Sequence, residues 1–204
     1  AWLVADINRH RQEWDFVGFI DDSVQGRTPE GYPVLGTLDY FLELSSPSWA
    51  VVAIADTQVR KAITQRLHSH RINVATLIHP SVSMSDFVQI GVGSIICAGA
   101  VITTNVTLGQ ASIVNPKCFI GHDTELDDFV SLMPSTNLAG EVKVGEGSYF
   151  GLNSCVINRT SIGRWSIIGA GATVIRDIPD YCVAVGVPAR VIKHRDMEAS
   201  GGAG

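Results

Sequence analysis

The tetrapeptide Ile120-Gly121-His122-Asp123 sets an imidazole directly before a carboxylate. Histidine ionises near neutrality, and a neighbouring carboxylate fixes its tautomer and raises its basicity, which equips it as a general base. Asn115 lies seven residues before His122 and offers an amide on the preceding stretch. Two further polar groups follow apolar runs: Asp21-Asp22 after Phe16-Val17-Gly18-Phe19-Ile20, and Ala55-Asp56-Thr57 after Ala50-Val51-Val52-Ala53-Ile54. Carboxylates just past a strand end can accept hydrogen bonds from the ribose or base of a nucleotide; they equally serve as turn and helix caps.

The other histidines read differently. His79 in Ile78-His79-Pro80 marks a domain junction, and His10, His68, His70 and His194 read as solvated surface residues. A zinc site of three histidines is the natural rival for His122, but it needs several histidines in one stretch, and His122 has a carboxylate beside it instead. No metal site is expected. Cys97, Cys118, Cys155 and Cys182 have no paired spacing and no Cys-x-x-Cys, so they read as small packing residues of a reducing compartment rather than nucleophiles.

The element that must position His122 is a six-residue repeat. Every sixth residue from Ile90 to Val174 is aliphatic or aromatic: Ile90, Ile96, Ile102, Leu108, Val114, Ile120, Leu126, Leu132, Leu138, Val144, Phe150, Val156, Ile162, Ile168, Val174. With 46% hydrophobic residues in the chain, one such run has a chance probability on the order of 10⁻⁵. The fourth residue after each is small or β-branched, from Ser94 to Ala172. This period belongs to hexapeptide solenoids, in which three short flat strands and three corners make one triangular coil of parallel β-structure. Fifteen repeats predict five coils, a left-handed parallel β-helix over residues 80–178. A β-sandwich would need turn signals every 8–12 residues or so and would lose this register. His122, two positions after the inward Ile120, is expected to face outward.

Upstream, residues 1–9 have helical spacing, 16–20 and 50–54 read as buried strands, 38–44 and 58–69 as helices, and Val74-Ala75-Thr76-Leu77-Ile78 as a third strand. The alternation predicts a small Rossmann-like parallel α/β unit over 1–79 with ligands at its strand carboxyl ends. Such a unit opens with a strand and a glycine-rich turn, whereas this sequence begins on the helix, so the first strand is expected to be lacking. Residues 179–204 are expected to form a loop and a tail, with Gly201 to Gly204 disordered and dispensable. At 204 residues and net charge −5 the chain has no basic field for nucleic acid, so small molecules and copies of itself are the expected partners. No apolar stretch approaches the roughly 18 residues of a membrane span and no signal peptide is recognisable, which points to the cytoplasm.

Several motifs add a resemblance. Ile168-Gly169-Ala170-Gly171-Ala172-Thr173-Val174, Asp177-Ile178-Pro179-Asp180-Tyr181 and Val185-Gly186-Val187-Pro188-Ala189-Arg190 resemble the end of a hexapeptide acyltransferase. With Phe19-Ile20-Asp21-Asp22, Leu77-Ile78-His79-Pro80, Asn115, His122-Asp123 and Tyr149-Phe150-Gly151-Leu152-Asn153-Ser154, the whole chain resembles the bacterial sugar O/N-acyltransferases. That group holds UDP-4-amino-sugar N-acetyltransferases and sialic-acid O-acetyltransferases.

The resemblance implies a homotrimer with acetyl-CoA in a groove between neighbouring prisms. It makes His122 the general base and Asp123 its support. Leu152, Gly169 and Ala170 fall where the family lines the coenzyme pocket, and Arg190 suits a coenzyme phosphate. Ser131 stands where the family often has a second histidine beside the coenzyme. Asp21 and Asp22 are implied to hold the nucleotide of the sugar, with Ala55, at a usual glycine position, and Asn115 on the same substrate side. N-acetylation of a nucleotide-linked amino sugar is the leading activity implied. Sugar O-acetylation, a non-catalytic trimeric scaffold and a nucleotide-sensing module are the alternatives.

Overall fold

The computed structural model describes residues 1–23, 26, 28, 31–44 and 48–195; the expectation for Gly201 to Gly204 lies outside them. From Leu77 onward the chain winds into a three-sided prism. One face stacks Leu77–Ile78, Ile95–Ile96, Ile113–Val114, Ser131–Leu132, Tyr149–Phe150 and Ile167–Ile168. The second runs from Ser83–Met84 to Thr173–Val174 and the third from Gln89–Ile90 to Ser161–Ile162. Each strand pairs in parallel with the one a coil later, as Ile113 with Ser131 and Val114 with Leu132. The winding is that of the left-handed β-helix.

The repeat works as its spacing implies. From Ile96 to Val174 every inward residue of the series is at most 3% exposed, each burial stabilising by about 1.5–3 kcal/mol. The small row caps the corners: Ser94 Oγ donates to Gly109 O at 3.1 Å and Ser148 Oγ to Gly163 O at 2.7 Å. Corner residues repeatedly take left-handed backbone angles, among them Asn105 (φ 56°), Lys117 (60°), Asp123 (57°), Phe129 (60°) and Glu141 (61°). Such angles cost an L-residue about 1–2 kcal/mol, offset by corner hydrogen bonds such as Asp123 N to Thr104 O and Glu141 N to His122 O.

The prism starts two strands before the series from Ile90 predicts. Ile78 and Met84 continue the register, and Leu77 pairs with Ile95, so the boundary falls before Leu77 rather than at 80. The run 74–78 is therefore not one strand. Ala75 N donates to Ala50 O at 2.8 Å, and two residues later Leu77 N donates to Ser94 O at 2.9 Å. The backbone changes sheets across Thr76, whose hydroxyl accepts from Gly93 N at 2.9 Å.

The N-terminal unit contains helix α1 (Trp2–His10), strands β1 (Phe19–Ile20) and β2 (Val34–Gly36), helix α2 (Leu38–Leu42), strand β3 (Trp49–Ala50), helix α3 (Thr57–Ser69) and strand β4 (Asn73–Val74). Instead of one parallel sheet it has two short parallel pairs among the described residues, β1 with β2 and β3 with β4. The strands expected over 16–20 and 50–54 are shorter, and β1 is only half-buried. What the sheet does not bury, the prism does. Leu3, Val4 and Ile7 of α1 pack on Ala75, Leu77, Ile95, Cys97 and Ile113, covering the outer side of the first face.

The C-terminal region is also more ordered than a loop. Cys182–Val185 extends the first face beside Ile167–Ile168, and Arg190–His194 returns antiparallel to it.

Candidate functional site

His122 and Asp123 sit on the edge between the second and third faces, after Phe119–Ile120 and before Glu125–Leu126. Their side chains are 57% and 50% exposed, and Nδ1 of His122 lies 2.8 Å from Asp123 Oδ2. With its Nδ1–H donated to the carboxylate, the ring keeps a lone pair on Nε2, the arrangement of a general base. The carboxyl of Asp123 is held below its ordinary value, first by the hydrogen bond from His122 and next by one from Asn105. Asn105 Nδ2 reaches Asp123 Oδ1 at 3.1 Å from the coil before.

On the coil after, Gly140 lies against the imidazole: a Cβ there would come within 2.5 Å of His122 Nε2. Beyond the pair, Asp123, Glu141, Lys143, Arg159 and Ser161 line a cavity of about 370 Å³. Its cations are engaged, Arg159 Nη2 with Glu141 at 3.0 Å and Lys143 with Glu125 at 3.7 Å.

Leu152, Gly169 and Ala170, implied for the coenzyme, share the edge between the first and second faces with Asn115, implied for the substrate, so one whole face of the chain separates all four from His122. Leu152 is 55% exposed and Ala170 is exposed. Asn115 donates to Leu132 O at 2.9 Å. Gly169 is needed for packing, since a Cβ there would meet Val185 Cγ1 at 2.7 Å. Arg190 is exposed at the start of the last strand, one guanidinium nitrogen donating to Ala189 O.

Ser131 requires a correction. It is fully buried, and its hydroxyl accepts from Arg60 Nη2 at 2.8 Å, so it lies beneath α3 and not in a coenzyme groove.

In the N-terminal unit, Asp21 accepts from Ser23 N and Oγ at 2.8 and 2.7 Å, while Asp22 accepts from Leu38 N at 2.7 Å and ties its loop to α2. Both stay exposed. Ala55 is exposed, and Asp56 caps α3 through Gln58 N and Val59 N. His79, just inside the prism, contacts the N-terminal unit: its Nε2 is 3.4 Å from Asp6 of α1, and its backbone N–H donates to Ile96 O. Among the described residues no group of three or more His, Cys, Asp or Glu is placed to hold a metal ion.

Arg60 has no counterpart in the sequence reading. It is fully buried and donates from Nε to Ala111 O at 2.8 Å and from Nη2 to Phe129 O at 2.7 Å, two left-handed corners of consecutive coils. Nη1 donates to Ile54 O at 2.6 Å and Ala55 O at 3.3 Å. One guanidinium thus fastens the strand end carrying Ala55 to the prism. Burial pushes its pKa down to about 10 against the opposing pull of Asp56, which leaves it charged at neutral pH.

Comparison with known proteins places this geometry in context. Residues 1–67 match the PglD N-terminal domain family. The chain is 30% identical over 181 residues to GDP-perosamine N-acetyltransferase of Escherichia coli, covering 86% of this chain and 81% of that protein. It superposes with TM-score 0.81 and 34% identity on a histidine-to-asparagine mutant of perosamine N-acetyltransferase from Caulobacter crescentus, in complex with CoA and GDP-perosamine, covering 86% and 84% of the two chains. The acetyltransferase domain of PglB from Neisseria gonorrhoeae gives TM-score 0.86 and 34% identity over 94% of each chain.

Proposed function

Because the chain belongs to the bacterial sugar acyltransferases of the hexapeptide-repeat superfamily, we propose that it is an acetyl-CoA-dependent N-acetyltransferase of a nucleotide-linked amino sugar. Glycan biosynthesis is its setting. The carrying observation is the exposed His122–Asp123 pair at 2.8 Å, in a chain whose similar structure holds CoA and GDP-perosamine.

Acetyl-CoA, when bound, supplies the acetyl group as a thioester. His122 Nε2 takes a proton from the acceptor amine as the C–N bond forms and returns it to the departing thiolate as the C–S bond breaks. The ring ends neutral, and no acyl-enzyme is needed. Asp123 stabilises the imidazolium in between, and a corner N–H donates to the carbonyl oxygen as charge builds there. Cys118 is no nucleophile: it is buried, and burial pushes its thiol up to about 11.

The edge between the first and second faces suits a long apolar arm ending in phosphates. Leu152 and Val187 are 55% and 73% exposed, and they are linked along that edge through Leu152 O to Gly171 N and Gly186 O to Thr173 N. Arg190 follows with a guanidinium for a phosphate. A trimer brings this edge of one protomer beside the His122 edge of the next. The half-exposed Val101 and Phe119, each 38% exposed on the face between the two edges, support that packing. Asp21, Asp22 and Ala55 then face the nucleotide. The four unpaired thiols suit a cytoplasmic enzyme.

The test is to supply acetyl-CoA with a panel of nucleotide-linked amino sugars, follow CoA release, and treat the product with hydroxylamine. A singly acetylated product that resists hydroxylamine is the expected amide. A product that loses its acetyl group is an ester and overturns N-acetylation.

A further inference from the structure

We infer that Asn105 is a positioning residue for acetyl transfer, the third member of a hydrogen-bonded chain Asn105–Asp123–His122 that spans two coils and holds the imidazole in its basic tautomer. The inference rests on His122 being the base proposed above. A carboxylate only accepts hydrogen bonds, and a half-exposed one is free to rotate. Here each oxygen is claimed from one side, Oδ2 by His122 Nδ1 at 2.8 Å and Oδ1 by Asn105 Nδ2 at 3.1 Å. With both held, the carboxylate plane is set, and the ring is set with it. Thr104 Oγ1, 3.5 Å from Asn105 Oδ1, lies on the acceptor side of the amide and leaves its NH₂ turned to Asp123.

Coil stacking creates the pairing. Asn105, Asp123, Glu141 and Arg159 occupy one corner of four successive coils, all with left-handed φ between 56° and 61°. They form two couples, Asn105 with Asp123 and Arg159 with Glu141. The difference between the couples is chemical. A cation at position 105 would make an ion pair with Asp123 and draw the carboxylate's charge away from His122. The neutral amide orients Asp123 and leaves its charge for the imidazolium that forms during transfer. The remaining charged groups around Asp123, namely Glu141, Lys143 and Arg159, have partners of their own.

Asparagine also tolerates a left-handed corner, so the test must remove the amide and keep the corner. In the full chain, Asn105→Gly keeps the backbone angle and deletes the donor. Asn105→Asp keeps the shape and sets a second carboxylate against Asp123. For Asn105→Gly we expect kcat to fall roughly tenfold, with the KM for acetyl-CoA and the melting temperature near wild type. Asn105→Asp should fall further, and the acid limb of its kcat–pH profile should move upward, because like charge raises the proton affinity of Asp123. Wild-type kcat and an unmoved profile in both variants would reduce Asn105 to a corner residue. If Asn105→Asp does not fold, Asn105→Gly alone decides. A wild-type protein that fails to acetylate the sugar overturns the acceptor reading instead. The ¹⁵N shifts of the His122 ring, taken without substrate, then judge Asn105: one Nδ1–H tautomer in wild type and a mixture in Asn105→Gly are expected, and identical spectra contradict the inference.

Discussion

Gly140 forms the seat of the His122 ring: a Cβ at position 140 would lie 2.5 Å from Nε2 and 2.6 Å from Cε1. No real contact is that short, so any side chain there must move the imidazole. Because the ring is the end of a side chain, the coil can survive the change. Gly140→Ala should therefore lower kcat about 10- to 100-fold through misplacement of the base, with little change in melting temperature. Steady-state kinetics beside a thermal melt checks this; unchanged kcat would show that the ring works from another rotamer.

Asp123 sets the pH window of the pair. Its carboxyl is depressed in the fold, first by His122 and then by Asn105. A depressed carboxylate stabilises the native arrangement above its ordinary value of 3.8 and loses that contribution as pH falls through the folded value. From neutrality down to about pH 4 the His–Asp bond should hold. Asp123→Asn, which still tolerates a left-handed corner, should accordingly lower kcat about 10- to 100-fold across the whole window. A variant that matches wild type at neutral pH and differs only in acid would contradict this.

Arg60 holds the N-terminal unit to the prism. Arg60→Met fills the space but strands the carbonyls of Ala111, Phe129 and Ile54 and the Ser131 hydroxyl. The loss should be about 3–5 kcal/mol, or roughly 10 °C in melting temperature. Arg60→Lys should recover little, since an ammonium cannot reproduce a planar fork of donors. Thermal denaturation of both variants checks this.

Arg190 tests the proposed coenzyme edge separately from His122. Arg190→Ala should raise the KM for acetyl-CoA about 5- to 10-fold with kcat nearly unchanged, as for the loss of one exposed phosphate contact. A fall in kcat alone would place Arg190 elsewhere in the reaction.

What the sequence discloses depends on whether a contact has a side-chain signature. The inward row is legible because only apolar residues satisfy positions such as Ile120 and Leu132, both fully buried. His122 and Asp123 are legible because they are adjacent. Asn105 and Gly140 touch them from one coil away, Asn105 beside Asp123 and Gly140 beside His122. They become visible only when the coil period is applied to polar and glycine positions as well as to the core. The row continues upstream through Met84 and Ile78, both apolar, so the start of the prism is legible once the period is carried back past Ile90, even though Met84 is 44% exposed. Residues 74–78 are a run of apolar and β-branched residues, and propensity does not say which sheet a strand will join. Arg60 gave no signal at all, since an arginine on a helix reads as solvated and its partners on the prism are mostly backbone carbonyls. Ser131 was misplaced for the same reason: its partner is Arg60, distant in sequence.

In the proposed mechanism His122 removes the proton of a sugar amine during acetyl transfer. The most direct measurement is CoA release from acetyl-CoA with a nucleotide-linked 4-amino sugar, by wild type and His122→Ala side by side, with acetyl-CoA affinity and melting temperature recorded for each. Wild type should turn over and the variant should lose about 10²- to 10⁴-fold in rate, with affinity and melting unchanged. Near-wild-type turnover by His122→Ala would contradict the mechanism.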